Sequence, residues 1–210
     1  LDTTGQGPGG LRLVLCRPRI SCMEAFLVST GIVALAEIGD KTQLLSLMLA
    51  ARYRKPVPII AGIFVATIVN HLLAGALGAL ITNWLGPDVM RWVLGVSFLA
   101  MAAWIMVPDK IDDDEADVAG KMGVFATTVL AFFLAEMGDK TQIATVALAA
   151  KYNSVILVSL GTTLGMMLAN VPAVLLGEVA AKKLPLRLVH GVCAAIFAMI
   201  GVLVLTRALV

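Results

Sequence analysis

The residues able to do chemistry in this chain gather in two short stretches. Leu35–Gln43 reads LAEIGDKTQ and Leu134–Gln142 reads LAEMGDKTQ, with eight of nine positions identical. Each holds a Glu, an Asp three residues on and a Lys four residues on: Glu37, Asp40, Lys41 and Glu136, Asp139, Lys140. On a continuous helix those spacings place all three side chains on one face. The four carboxylates carry −4 and the two lysines return +2, leaving −2. That residue matches one divalent cation, and it equally matches two protons. An all-oxygen donor set suits Mg²⁺, Ca²⁺ or Mn²⁺ rather than Zn²⁺ or Cu⁺. Thr42, Gln43, Thr141 and Gln142 can add neutral oxygens. Gly39 and Gly138 leave room for the backbone to approach a ligand or a partner helix.

The elements that must hold these groups are set by composition. Of 210 residues, 60% are hydrophobic and 14% charged, with a mean hydropathy of +0.95. A soluble domain carries about 25% charged residues, so too few charges remain to coat a water-facing surface. The apolar stretches are long and unbroken, which excludes disorder and the short alternating segments of a transmembrane β-barrel. They cover 24–50, 57–82, 87–107, 122–150, 155–180 and 186–208, separated by charged or Pro/Gly-containing segments. At about 20 residues per span, the reading is an all-α polytopic membrane protein with six transmembrane helices. Glu37 and Glu136 then fall mid-span, where ionisable groups are costly and face a partner or a wet cavity rather than lipid. Residues 1–22 are Gly-rich, then arginine-bearing, and read as a leader or an added remnant outside the fold.

The two stretches are 99 residues apart, and the same offset pairs Ser29 with Thr128, Ser46 with Thr145, Gly62 with Gly161 and Gly78 with Gly177. The chain is therefore read as a duplication: residues 23–110 form one three-helix repeat, 111–121 an acidic linker and 122–210 the second repeat. Three is odd, so the second copy enters the membrane from the opposite side. Inverted repeats of this kind typify secondary transporters, with the site at the midplane where the repeats meet. The first and fourth helices should cross near Gly39 and Gly138, bringing all four acids into one cavity. Lys and Arg are unevenly shared between the two sides, eight against three outside the leader. The richer side is the cytosol, and both termini face away from it.

His71 and Asn170 are equivalent at the same offset, near the centres of the second and fifth helices. They are candidate supporting ligands, though an intramembrane His or Asn commonly serves as an interhelical hydrogen bonder. Met137, Met166 and Met167 could add a softer donor, or simply pack. Glu178 has no acidic counterpart, and Asp112–Asp117 lacks the spacing of an EF-hand loop and reads as a solvated linker. Cys16, Cys22 and Cys193 show neither metal spacing nor a disulfide framework. A net charge of +2 with scattered positives points to no nucleic-acid partner.

Two copies of E-x-G-D-[KR]-[TS], one per three-helix repeat with an acidic segment between, resemble a cation/proton exchanger family. It includes Golgi-type Mn/Ca exchangers and bacterial manganese exporters of the MneA type. The resemblance spans about residues 23–210, with both motifs complete at Glu37–Thr42 and Glu136–Thr141. It implies export of Mn²⁺, or in some members Ca²⁺, from the cytosol in exchange for protons, with Glu37, Asp40, Glu136 and Asp139 as the cation site. The choice of Mn²⁺ comes from the resemblance; the residues themselves define only a hard divalent cation. The short loops resemble the bacterial members, which places the chain in a bacterial inner membrane. Divalent cations, protons and the lipid bilayer are the expected partners, and a homo-oligomer stays open. No prosthetic group is expected. A Ca²⁺/H⁺ exchanger and a divalent cation channel are the competing readings. A zinc protease is disfavoured by the two isolated histidines, His71 and His190, and an ATP-driven pump by the absence of a nucleotide-binding loop.

Overall fold

A computed structural model describes residues 19–85, 87–106, 123–176 and 186–206. The acidic segment 111–121, Glu178, Gly177 and residues 1–18 lie outside the described residues. Eight helices run through the described chain: α1 (Arg19–Glu37), α2 (Lys41–Tyr53), α3 (Pro56–Trp84), α4 (Pro87–Ile105), α5 (Val124–Glu136), α6 (Lys140–Tyr152), α7 (Val155–Leu176) and α8 (Leu186–Leu205). Helix α1 starts at Arg19, so the leader read over 1–22 gives its last four residues to the first helix.

Among the described residues, two segments are long and apolar enough to cross a membrane, Pro56–Thr82 within α3 and Val155–Leu175 within α7. Residues 22–37 of α1 pass the same test together with α2, but the pair bends by 69° at the break between them. The single helices expected over 24–50 and 122–150 are each two helices, interrupted at Ile38–Asp40 and Met137–Asp139. The expectation that Glu, Asp and Lys share one helical face therefore fails. In each stretch Glu closes one helix, Asp precedes the next and Lys opens it. The cause is local: Gly39 and Gly138 adopt φ of +82° and +76°, left-handed values that end a right-handed helix.

Helices in an apolar solvent associate through close packing over small residues, and the glycines mark where. Helix α7 lies against α1, and α3 against α5. A Cβ on Gly161 would meet the Phe26 carbonyl oxygen at 2.5 Å and Ser29 at 3.1 Å. A Cβ on Gly62 would meet Thr128 at 2.7 Å and the Phe125 carbonyl oxygen at 3.0 Å. These seams are the same contact twice, since Gly62 and Gly161, Phe26 and Phe125, and Ser29 and Thr128 each lie 99 residues apart. The α4–α8 contact is reciprocal too. Phe98 packs against Phe197, its equivalent at that offset, with ring centroids 5.9 Å apart and the rings tilted by 43°, and Gly95 and Gly201 face each other one turn away.

These seams hold the two helix breaks against each other. Replacing Gly161 with Val should lower stability by about 1–3 kcal/mol, the usual cost of overpacking, because the obstructing atom is backbone. Gly31→Ala, with open space around the new methyl, should be neutral or gain up to about 1 kcal/mol. Thermal unfolding of the purified variants in detergent checks both; equal melting points for the two would contradict the packing.

Candidate metal centre

Each break is a tight turn. Met137 has φ −63° and ψ 119°, Gly138 has φ +76°, and the Asp139 N–H donates to the Glu136 carbonyl at 3.1 Å. This is a type II turn, which requires a positive φ at its third residue and hence glycine. Asp40 N–H likewise donates to the Glu37 carbonyl at 3.1 Å across Gly39. The Gly39 N–H donates to Gln43 Oε1 at 2.9 Å and the Gly138 N–H to Gln142 Oε1 at 2.8 Å. The glutamine oxygens anticipated as ligands are thus committed to the turns, with Gln43 also donating to the Ala169 carbonyl at 3.2 Å. Asp40 and Asp139 occupy the N-cap positions of α2 and α6 in extended backbone geometry, and neither side chain caps its own helix.

Those carboxylates are turned toward the opposite break. Lys140 Nζ donates to Asp40 Oδ1 at 2.7 Å, and Lys41 Nζ lies 4.0 Å from Asp139 Oδ1. The ion pairs are therefore exchanged between the two motifs rather than formed within them. Thr42 donates to Glu37 Oε2, and Thr141 lies 3.2 Å from Glu136 Oε2 and 3.4 Å from Asp139 Oδ2. These hydroxyls orient carboxylates. Glu37, Asp40, Glu136 and Asp139 are all buried.

Carboxylate oxygens of Glu37, Asp40 and Asp139 lie within 4.8 Å of one another. Oxygens bound to one hard divalent cation at about 2.0–2.6 Å are at most about 4–5 Å apart, so this triad has the span of a cation site. Of the four acids expected in one cavity, these three have oxygens this close together. Glu136 stands outside the triad, its Oε2 3.7 Å from His71 Nε2, both side chains fully buried. Asn170, the equivalent of His71, serves as a hydrogen bonder: it accepts from Ser46 at 2.7 Å and donates to the Met166 carbonyl at 3.1 Å and Sδ at 3.0 Å. Met137 is exposed, and Met167 packs at the edge of an apolar cluster. Ser46, which fixes Asn170, and Asn70, which donates to the Phe133 carbonyl at 3.1 Å, were not expected at the site. The pairing of Ser46 with Thr145 at offset 99 was the available signal.

The described residues thus make an all-helical membrane protein with charge-bearing helix breaks facing each other. Residues 25–113 and 124–210 match the family described as "Divalent cation/proton antiporter GDT1", and the chain belongs to that family. Over 181 residues it is 55% identical to a Vibrio cholerae protein named "Putative manganese exporter", covering 86% of this chain and 90% of that protein. It is 27% identical over 218 residues to Arabidopsis thaliana GDT1-like protein 3, covering 91% and 73% of the two chains. A GDT1-like protein of Synechocystis is 28% identical over 200 residues, covering 85% and 97%. No solved structure shows a significant match to this chain.

The turns give a direct test. A methyl on Gly138 would meet nothing within 4 Å, so any cost of Gly138→Ala is conformational, about 1–2 kcal/mol for the left-handed region. Gly138→Asn should cost less, because Asn tolerates that region better. Denaturation in detergent should rank wild type, Asn, Ala in falling stability; an Ala variant as stable as wild type would contradict the turn.

Proposed function

We propose that this chain exports divalent cations, Mn²⁺ foremost, from the cytosol in exchange for protons, with Glu37, Asp40 and Asp139 as the cation site and Glu136 beside it. The observation that carries the reading is the set of three buried carboxylates within 4.8 Å, drawn from two facing helix breaks. Family membership supports divalent cation/proton exchange, and the name of the Vibrio cholerae relative supports manganese. In this reading the pairs α1–α2 and α5–α6 are broken spans, which with α3, α4, α7 and α8 make six spans in two inverted repeats, 23–110 and 122–210. The seams repeated at offset 99 support that arrangement. The Lys and Arg distribution supports an inner-membrane orientation with both termini outside the cytosol.

The charge balance suggests the coupling. With both lysines charged, the four acids leave −2 in an apolar core, an unfavourable charge to carry through a conformational change without a compensating ion. One M²⁺ neutralises it on the outward step, and two protons can do so on the return. The cycle is then close to electroneutral and is driven by an inward proton gradient. Lys140 and Lys41 hold Asp40 and Asp139 in place between those steps.

Asp40→Asn and Asp139→Asn keep side-chain shape and remove one charge each. Mn²⁺ transport in proteoliposomes should fall by about tenfold or more while the protein stays folded; normal transport by both variants would defeat the site. An internal pH dye at clamped potential should report about two protons moved per Mn²⁺. Flux indifferent to the pH gradient, with no proton movement, would favour a channel instead. Lys41→Met should change the proton count per cation rather than abolish binding.

A further inference from the structure

The polar groups of α3 and α7 are equivalent in sequence position but not in satisfaction. On α7, Asn170 has its amide and its carbonyl oxygen engaged by Met166 and Ser46. On α3, His71 is fully buried, and neither Nδ1 nor Nε2 has a hydrogen-bond partner. Glu136 Oε1 is likewise buried without a partner. One helical turn before His71, Thr67 Oγ1 is in the same condition. The backbone at His71 is held in place, its carbonyl accepting from Ser159 at 2.9 Å. Buried polar groups are nearly always satisfied, so an imidazole with both nitrogens unpartnered, beside a carboxylate whose Oε1 is unpartnered and whose Oε2 takes only the Thr141 hydroxyl, points to a ligand between them.

The spacing identifies the kind of ligand. His71 Nε2 and Glu136 Oε2 are 3.7 Å apart, longer than a hydrogen bond of about 2.7–3.2 Å. A metal ion about 2.1–2.2 Å from each would hold them at this separation with an angle of about 115–125° between the two bonds. Ca²⁺ and Mg²⁺ take oxygen ligands, whereas first-row transition metals accept imidazole nitrogen as well. We infer that His71 and Glu136 form a second cation position beside the Glu37–Asp40–Asp139 triad, and that its nitrogen donor makes the chain favour Mn²⁺ and other transition-metal divalents over Ca²⁺. This rests on the cation-exchange reading above and assigns the selectivity within it to one residue. The position equivalent to His71 holds Asn170, an oxygen donor already in use, so the nitrogen is offered on one side only.

Mn²⁺ itself is the probe. The purified full chain in detergent is loaded with Mn²⁺, and electron spin-echo modulation reads coupling of the bound ion to nitrogen. Coupling should be present in wild type and in His190→Asn, which removes the other histidine, and absent in His71→Asn. In the same samples, the Ca²⁺ needed to displace half the Mn²⁺ should fall by about tenfold in His71→Asn. His71→Gln, closer in size, replaces that variant if it does not fold, and Mn²⁺ bound by either variant shows an intact triad. Nitrogen coupling that survives in the His71 variants, or unchanged Ca²⁺ competition, would overturn the second position and leave the exchange reading standing. A wild-type chain that binds no Mn²⁺ would overturn both.

Discussion

A carboxylate carried into an apolar helical bundle has to be met there by donors, by positive charge or by a bound cation. Glu37, Asp40, Glu136 and Asp139 are all at such depth, and most of the surrounding structure answers that requirement. A continuous helix offers no free donors along its length. A broken one does, because the first N–H groups of the second half lack intrahelical partners and carry the positive end of the helix dipole. Placing Asp40 and Asp139 at the starts of α2 and α6 sets each acid beside such an end. The turn requires glycine at Gly39 and Gly138, and Gln43 and Gln142 satisfy the N–H groups of those glycines. The lysines then cross to the opposite motif, so that neither half can neutralise its own acids alone. A 2.7 Å contact such as Lys140 to Asp40 tolerates little slack, and the close seams at Gly62 and Gly161 keep the breaks in register.

Much of this was legible from residue type and spacing. The duplicated stretch, its depth within apolar runs and the offset of 99 identified the acids, their lysines and the glycines as one constellation. The family model and the relatives bear out the resemblance to a cation/proton exchanger family that those two motifs carry. The helix break was less legible, for a physical reason. Spacings of three and four residues are what an intrahelical Glu–Lys pair requires, and an isolated glycine in an apolar run is compatible with an unbroken membrane helix. A clearer signal lay in Asp40-Lys41-Thr42-Gln43 and Asp139-Lys140-Thr141-Gln142, an N-cap residue followed at N3 by glutamine, the signature of a helix start. What no local pattern contains is the partner of Lys140. Asp40 is 100 residues away, and only the tertiary fold brings the two together.

The paired halves are alike without being identical, and the differences fall at the site. One lysine reaches its aspartate at 2.7 Å and the other stops at 4.0 Å. Three acids cluster and the fourth turns to His71. The packing seams remote from the acids, by contrast, repeat closely. Seam residues such as Gly62 and Gly161 serve one purpose, close approach, and a duplicated chain keeps that purpose in both copies. The site residues do not repeat in this way: three acids lie within 4.8 Å of one another, and the fourth lies 3.7 Å from His71, whose counterpart is Asn170.

That inequality also bears on how the proposed carrier would change its facing. In an inverted repeat each half can adopt the arrangement of its counterpart, and exchanging the two arrangements opens the site to the other side. In the proposed carrier the tight contact would pass from Lys140 and Asp40, now at 2.7 Å, to Lys41 and Asp139, now at 4.0 Å. The two resulting states would differ in which aspartate an ammonium holds more closely. A bound divalent ion competes with ammonium for the same carboxylate oxygens, so cation binding and the choice of tight pair are linked by charge alone. His71 breaks the equivalence of those two states, because Asn170 cannot supply a nitrogen when the arrangements exchange. In the proposed second position a transition metal would then be held differently in the two facings, while an ion taking only oxygen ligands would gain nothing from the imidazole.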